Sequence, residues 1–174
     1  MRAQSLWKTV TRDDGDLLHS LISLLDENRV RYCVIGGQAV NAYAEPLVSL
    51  DLDIVIAAED IERGEALCRE VFIVERFPHS INLSKAKSDL RVQIQTDPRY
   101  FSFPEHASPR NVLGVALPVA RVEDVLQGKV WAVSDQTRRG SKRQKDLADI
   151  ARLLEGYPHL RDQVPTGILD LLIY

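Results

Sequence analysis

The chain has 174 residues, 45% of them hydrophobic, which is enough for one domain with its own core and too few for two of ordinary size. A formal charge of -3 excludes a global pull toward nucleic acid or an anionic membrane, so any such binding has to come from a local patch. No run approaches the ~18 apolar residues of a membrane span, and MRAQSLWKTVTRDDGD has no apolar signal-like core, so the expectation is a cytoplasmic protein without membrane contact.

Over residues 13–28, Leu17, Leu18, Leu21, Leu24 and Leu25 recur at helical spacing, with RDDGD supplying N-cap candidates. RYCVIGG then reads as a short strand ending at Gly36 and Gly37, and QAVNAYAEP as about two helical turns stopped by Pro46. SLDLDIVIA is a second strand. EDIERGEALCREV returns to helical spacing through Ile61, Leu67 and Val71, weakened at Gly64. FIVERF, HSINLS and DLRVQIQT follow with no helix-length spacer, which predicts antiparallel pairing rather than a repeated βαβ unit.

DPRYFSFPEHASP, with its three prolines, reads as a loop, and NVLGVALPVA as one more strand. The rest is helical. Val122, Val125, Val130 and Val133 form a stripe interrupted by Gly128; Leu147, Ile150, Ala151 and Leu154 form a cleaner one, with Ser141 as N-cap and Gly156 and Pro158 as the stop. The tail GILDLLIY either completes the core or meets a partner chain, a second copy or another protein. The predicted fold class is α+β: a mixed or antiparallel sheet flanked by helices, with C-terminal helices, in one domain over 1–174 with a core of about 14–156 and a tail of 157–174. Cys33 and Cys68 lie among apolar neighbours with no second ligand at metal spacing and read as small buried hydrophobes.

Asp51 and Asp53 share one face of the second strand, roughly 6 to 7 Å apart, close enough to repel where water is scarce. One explanation is an edge strand whose solvent face happens to carry both. The other is a cation between them, and magnesium suits it because that ion takes one or two carboxylates plus phosphate oxygens and waters. Gly36 and Gly37, at a strand end that opens a helix, form either a plain turn or a place where backbone N–H groups approach a phosphate. Arg138, Arg139, Lys142, Arg143 and Lys145 cluster around a helix start, either as a solvated face or as a phosphate-binding one.

Gly36 and Gly37, thirteen residues, then DLDI resembles the signature of the nucleotidyltransferase superfamily, the polymerase-beta-like fold. LPVARVEDVLQGK and RQKDLADIARLLE extend the likeness, which is nearest to the AbiEii-type and related minimal nucleotidyltransferases and spans residues 32–155. The resemblance implies a nucleotidyltransferase-like sheet and a magnesium- or manganese-dependent transfer of a nucleoside monophosphate from an NTP to a hydroxyl of a protein, RNA or small molecule. It implies that Asp51 and Asp53 ligate the metal, that Gly36 and Gly37 line the triphosphate, and that Lys129, Lys145 and Asp146 face the same cleft, with Arg143 in the basic helix start. Without the resemblance, Lys129 reads as an exposed helix lysine.

Two departures from the pattern stand out. The strand expected to present a third carboxylate reads LRVQIQTD, so its acidic slot holds Gln93 or Gln95, amides that accept no proton at neutral pH. Asp97, Asp146 or Asp149 then substitutes, or metal alone activates the hydroxyl, or nucleotide is bound without turnover. In AEPLVSLDLD, Ala44 and Leu47 stand where related sequences carry glycine and arginine, with Ser49 matching a threonine. The alternative function is therefore a catalytically inactive nucleotide-binding module or one component of a toxin–antitoxin-type pair.

Overall fold

The computed structural model describes residues 16–173, and residues 12–15 of the predicted N-cap segment lie outside them. The elements in chain order are α1 (Leu17–Glu27), β1 (Tyr32–Ile35), α2 (Gly36–Tyr43), β2 (Asp51–Ile56), α3 (Ile61–Val71), β3 (Ile73–Phe77), β4 (Ser80–Ser84), β5 (Arg91–Gln95), β6 (Ser108–Val112), β7 (Val115–Val119), α4 (Val122–Ser134), α5 (Gly140–Gly156) and α6 (Thr166–Leu169). The fold is α+β, as expected. One seven-stranded mixed sheet runs β3-β4-β5-β2-β1-β7-β6.

β3, β4 and β5 pair antiparallel, as their close spacing predicts. β5 then lies parallel to β2 and β7 parallel to β1, across connections long enough to reverse the chain. β2 is thus the central strand, fourth of seven, and the edge-strand explanation of Asp51 and Asp53 falls. A central strand has both edges hydrogen-bonded, so its polar face has to be covered by protein or used.

The two faces of β2 separate core from cleft. Leu52, Ile54 and Ile56 are almost fully buried on one face. There α3 approaches so closely that a Cβ on Gly64 would stand 2.9 Å from the Ile56 Cδ1. Gly64 therefore permits close packing instead of weakening the helix. The buried face of α3 is formed by Gly64, Glu65 and Cys68, while Val71 of the predicted stripe is 44% exposed. On the opposite face, α2, α4 and α5 pack together beside Asp51 and Asp53.

Several sequence expectations are corrected. NVLGVALPVA is not one strand but the end of β6, a turn and β7: Leu113 and Gly114, both at positive φ, turn β6 into β7. The proline-rich stretch is two 3-10 turns that bury Tyr100 and Phe103, and its last two residues already belong to β6. Tyr100 packs edge-on against Trp131. A Cβ on Gly128 would lie 3.2 Å from the Tyr100 ring, so Gly128 makes room for that ring and α4 runs through it unbroken. Ser141 is no N-cap: α5 starts one residue earlier, at Gly140, with Arg139 preceding it and no side-chain cap. Asp16 precedes α1 in a left-handed conformation and likewise makes no side-chain cap bond.

The α4 stripe holds, with Val122, Val125, Val130 and Val133 all buried; on α5 Leu147, Ile150 and Leu154 are buried, while Ala151 of the predicted stripe is half-buried and Leu153 is buried instead. In the tail, Ile168 is buried while Leu171 and Ile173 are 57% and 94% exposed, so it does complete the core but only in part. Cys33 and Cys68 are buried free thiols, as expected; burial pushes the Cys68 thiol up to about 11. Among the described residues no helix is long and apolar enough to cross a membrane.

Candidate active site

A cleft of about 500 Å³ opens over the polar face of β2. Gly36, Gly37, Ser49, Asp51, Asp53, Gln93, Lys129, Lys145 and Asp146 of the predicted site all line it, together with Arg138 and Lys142. Arg143 does not: its guanidinium donates to the Asp135 carbonyl at 2.8 Å, tying the loop before α5. The fold therefore brings all of these residues but Arg143 to one cleft, from segments far apart in sequence.

β1 delivers the glycines. Its pairing with β2 sets Ile35 opposite Asp53, so the residue that follows Ile35 arrives beside the Asp53 carboxylate. Gly36 has φ +66, and a Cβ there would sit 2.3 Å from Asp53 Oδ2. Only glycine accommodates both the left-handed backbone and the contact. Unlike the sequence expectation, α2 begins at the glycines themselves, so the free backbone N–H groups of its first turn belong to Gly36, Gly37 and their neighbours. Ser49 acts on the backbone: its Oγ accepts from the Asp51 N–H at 3.2 Å, and its carbonyl accepts from Gln38 Nε2 at 3.1 Å.

Asp51 and Asp53 differ in surroundings. Asp51 is partly exposed and pairs with Arg91 Nε at 2.8 Å, with Lys142 Nζ at 3.9 Å. Burial pushes the Asp53 carboxyl above the usual carboxylate range; Lys129 pulls the other way, Asp51 adds to the rise, and Lys145 and Lys142 oppose it. Arg91 was visible on the β5 face in sequence, but its pairing with Asp51 required the β2–β5 register that sets the two opposite each other.

Lys129 is not an exposed helix lysine. It is 8% exposed and its Nζ contacts Asp146 Oδ1 at 2.9 Å and Asp149 Oδ2 at 2.7 Å. Burial alone would lower its ammonium, and the two carboxylates overcome that and hold it above the ordinary lysine value. Arg138 donates to Asp146 at 2.8 Å and Arg152 to Asp149 at 2.9 Å, which completes a five-membered charge network with Lys129, Asp146 and Asp149 buried at its centre and the two arginines partly exposed at its rim. Arg152 also donates to Asn41 Oδ1 at 2.9 Å and to the Glu45 carbonyl; Asn41 in turn donates to the Leu47 carbonyl at 2.7 Å. The loop leading into Asp51 is thereby fastened to the same network. Arg152 was missed in sequence; its i, i+3 spacing from Asp149 was the available signal.

The register also identifies the third position. Gln93 stands directly opposite Asp53 across the parallel pair, whereas Gln95 stands opposite Val55. Gln93 therefore occupies the slot. None of the proposed substitutes is free to replace it: Asp97 is bound by Arg99, and Asp146 and Asp149 are consumed by Lys129, Arg138 and Arg152. Among the described residues no cluster of three or more His, Cys, Asp or Glu side chains is arranged to hold a metal ion. The two carboxylates, with room kept beside Asp53 by Gly36, still fit a hard divalent cation that fills its shell with phosphate oxygens and water.

Solved structures similar to this one include ANT(2'')-Ia in complex with adenylyl-2''-tobramycin (12% identity, 89% of this chain and 96% of that one, TM-score 0.62). A lincomycin-bound lincosamide antibiotic adenylyltransferase, LnuA, matches at 14% identity over 82% of this chain and 99% of that one, TM-score 0.54. An antigenic nucleotidyltransferase-like protein from Paracoccidioides brasiliensis matches at 20% identity over 86% and 75%, TM-score 0.51. These likenesses concern the fold. Among curated proteins none matches the chain. The model of the family described as nucleotidyl transferase AbiEii toxin, type IV TA system, matches residues 38–170, which include Asp51, Asp53, Lys129 and the charge network, and the chain belongs to that AbiEii nucleotidyl transferase family.

Proposed function

We propose that the protein transfers a nucleoside monophosphate from an NTP to a hydroxyl group, the whole chain acting as one domain. The observation that carries this reading is the convergence of Gly36, Asp51 and Asp53 with Lys142 and Lys145 on one cleft. Asp51 and Asp53 would hold magnesium or manganese, which supplies charge neutralisation to the phosphates when bound. The α2 N-terminus at Gly36 and Gly37, with Lys142 and Lys145, binds and orients the triphosphate. Lys129, committed to Asp146 and Asp149, sets the field at Asp53 and positions α5.

In the transfer itself, the hydroxyl oxygen of the second substrate forms a bond to the α-phosphorus. The bond from that phosphorus to its bridging oxygen breaks, and pyrophosphate leaves. The hydroxyl proton passes to water in the open cleft, since Gln93 cannot take it.

The test is a thermal-shift comparison of wild type and Asp51→Asn/Asp53→Asn with each NTP, with and without magnesium. A ligand at ~100 times its dissociation constant stabilises by about 2.7 kcal/mol. A magnesium-dependent shift lost in the double variant supports the reading, and its absence in the wild type removes it.

Gln93 favours a second reading, a non-catalytic nucleotide-binding member of a toxin–antitoxin-type pair, with the exposed Leu171 and Ile173 offered to a partner protein or a second copy. Nucleotide binding with no labelled product, together with a copurifying partner, distinguishes it from the first.

A further inference from the structure

Among the described residues five cations line the cleft: Arg91, Lys129, Arg138, Lys142 and Lys145. Two of them are spent, since Lys129 lies between Asp146 and Asp149 and Arg138 is paired with Asp146. Lys142 and Lys145, from α5, serve the triphosphate in the reading above. Arg91 has no part in it so far, and it is the one cation of the cleft that the sheet contributes. The parallel register sets Arg91 opposite Asp51 and Gln93 opposite Asp53, so all four side chains project to one side of the sheet, into the cleft.

Asp51 is approached by two cations from different elements. Its Oδ1 is 2.8 Å from Arg91 Nε of β5, and its Oδ2 is 3.9 Å from Lys142 Nζ of α5. The Arg91 side chain is 71% exposed and that of Asp51 29%. An ion pair this open to water contributes little to stability, so it occupies Asp51 without locking it. Arg152 differs: it donates to Asp149, to Asn41 and to the Glu45 carbonyl at once and is held in place. Residues 44–50, which lead into Asp51, carry no lysine or arginine of their own.

A divalent cation on Asp51 competes with Arg91 for the same carboxylate. We infer that Arg91 is a phosphate-binding residue that changes partners, holding Asp51 before nucleotide binds and donating to the triphosphate once Asp51 is given over to the metal. The inference rests on the nucleotide-binding site proposed above and adds to it a second wall, with α5 gripping the phosphates through Lys142 and Lys145 and β5 through Arg91. A planar guanidinium offers two parallel donors to phosphate oxygens, which suits the exchange. Arg91 then opposes the metal alone and favours the metal together with NTP, which couples the two ligands.

The test uses the full chain, wild type against Arg91→Gln and Arg91→Lys, with two probes. Manganese alone is titrated calorimetrically, and each NTP is titrated by thermal shift in saturating magnesium. In Arg91→Gln, manganese alone is expected to bind about two- to fivefold more tightly, the worth of an exposed ion pair, because Asp51 has lost its competitor. The NTP concentration for half-maximal stabilisation is expected to rise about tenfold, the worth of a hydrogen bond to a charged group. Arg91→Lys recovers part of that rise. A residue that merely props Asp51 would weaken both ligands together when removed, so weakening of both overturns the inference. Manganese binding or NTP binding that Arg91→Gln leaves unchanged overturns it as well. Absence of any NTP shift in the wild type is a separate outcome and overturns the nucleotide-binding reading itself.

Discussion

Gly36 and Asp53 touch across the β1–β2 pair: no side chain fits at Gly36, where a Cβ would lie 2.3 Å from the carboxylate oxygen. The backbone there is left-handed as well, at φ +66. Gly36→Ala is expected to cost about 1–2 kcal/mol from the conformation alone and to displace Asp53. Urea unfolding reads the first effect, and loss of the magnesium-dependent NTP shift reads the second. A variant that keeps the full shift would show that Asp53 is not the group the glycine protects.

Asp53 also sets a pH dependence. Its carboxyl is raised in the folded state, chiefly by burial. The folded protein therefore holds that proton where the unfolded chain has released it, so the stabilising contribution is present in acid and is lost as pH rises through the folded value. Asp53→Asn should be more stable than wild type at pH 7 in EDTA, with the difference closing toward about pH 4. Paired urea titrations across that range check it; a difference that widens toward acid contradicts it.

Lys129→Met leaves Asp146 and Asp149 buried with their central cation gone. Removing one partner of a buried pair costs about 3–5 kcal/mol, and that loss is expected here by urea unfolding at neutral pH. Lys129→Met combined with Asp149→Leu should cost less than the sum of the two single changes, because the second removes a charge the first stranded. Additivity would mean that Arg138 and Arg152 already satisfy both carboxylates.

Gln93→Glu adds a carboxylate opposite Asp53, at the position where the site lacks a proton acceptor. A positioned general base contributes about 10²–10⁴-fold. If the wild type transfers nucleotide with release of the proton to water, labelling by Gln93→Glu in saturating magnesium should rise by about 10²-fold, the lower end of that range. Unchanged labelling would indicate that proton removal does not limit the rate.

Arg152→Ala tests the fastening of the loop before Asp51. Arg152 reaches Asp149, Asn41 and the Glu45 carbonyl at once. Its loss should raise the NTP concentration needed for half-maximal stabilisation more than Arg152→Lys, which keeps a cation at Asp149 but loses the fork. Equal effects of the two would leave only the charge as its contribution.

The order of elements apart from the β6–β7 hairpin, the glycine pair and the spacing to Asp51 and Asp53 were legible in the sequence because each is local: period-2 and period-3.6 patterning, and residue types with few other uses. The α4 stripe and most of the α5 stripe held for the same reason. What the tertiary structure alone decided is long-range. The parallel β2–β5 register chose Gln93 over Gln95 as the partner of Asp53 and made β2 central. Helix packing turned Lys129 from a surface lysine into the buried centre of a charge network. Tyr100 filling the gap at Gly128 and Ile56 the gap at Gly64 made two apparent helix weaknesses into contacts. Composition and periodicity report which face of an element is apolar, but the identity of the neighbour across a sheet or between helices depends on chain reversals that no local pattern encodes.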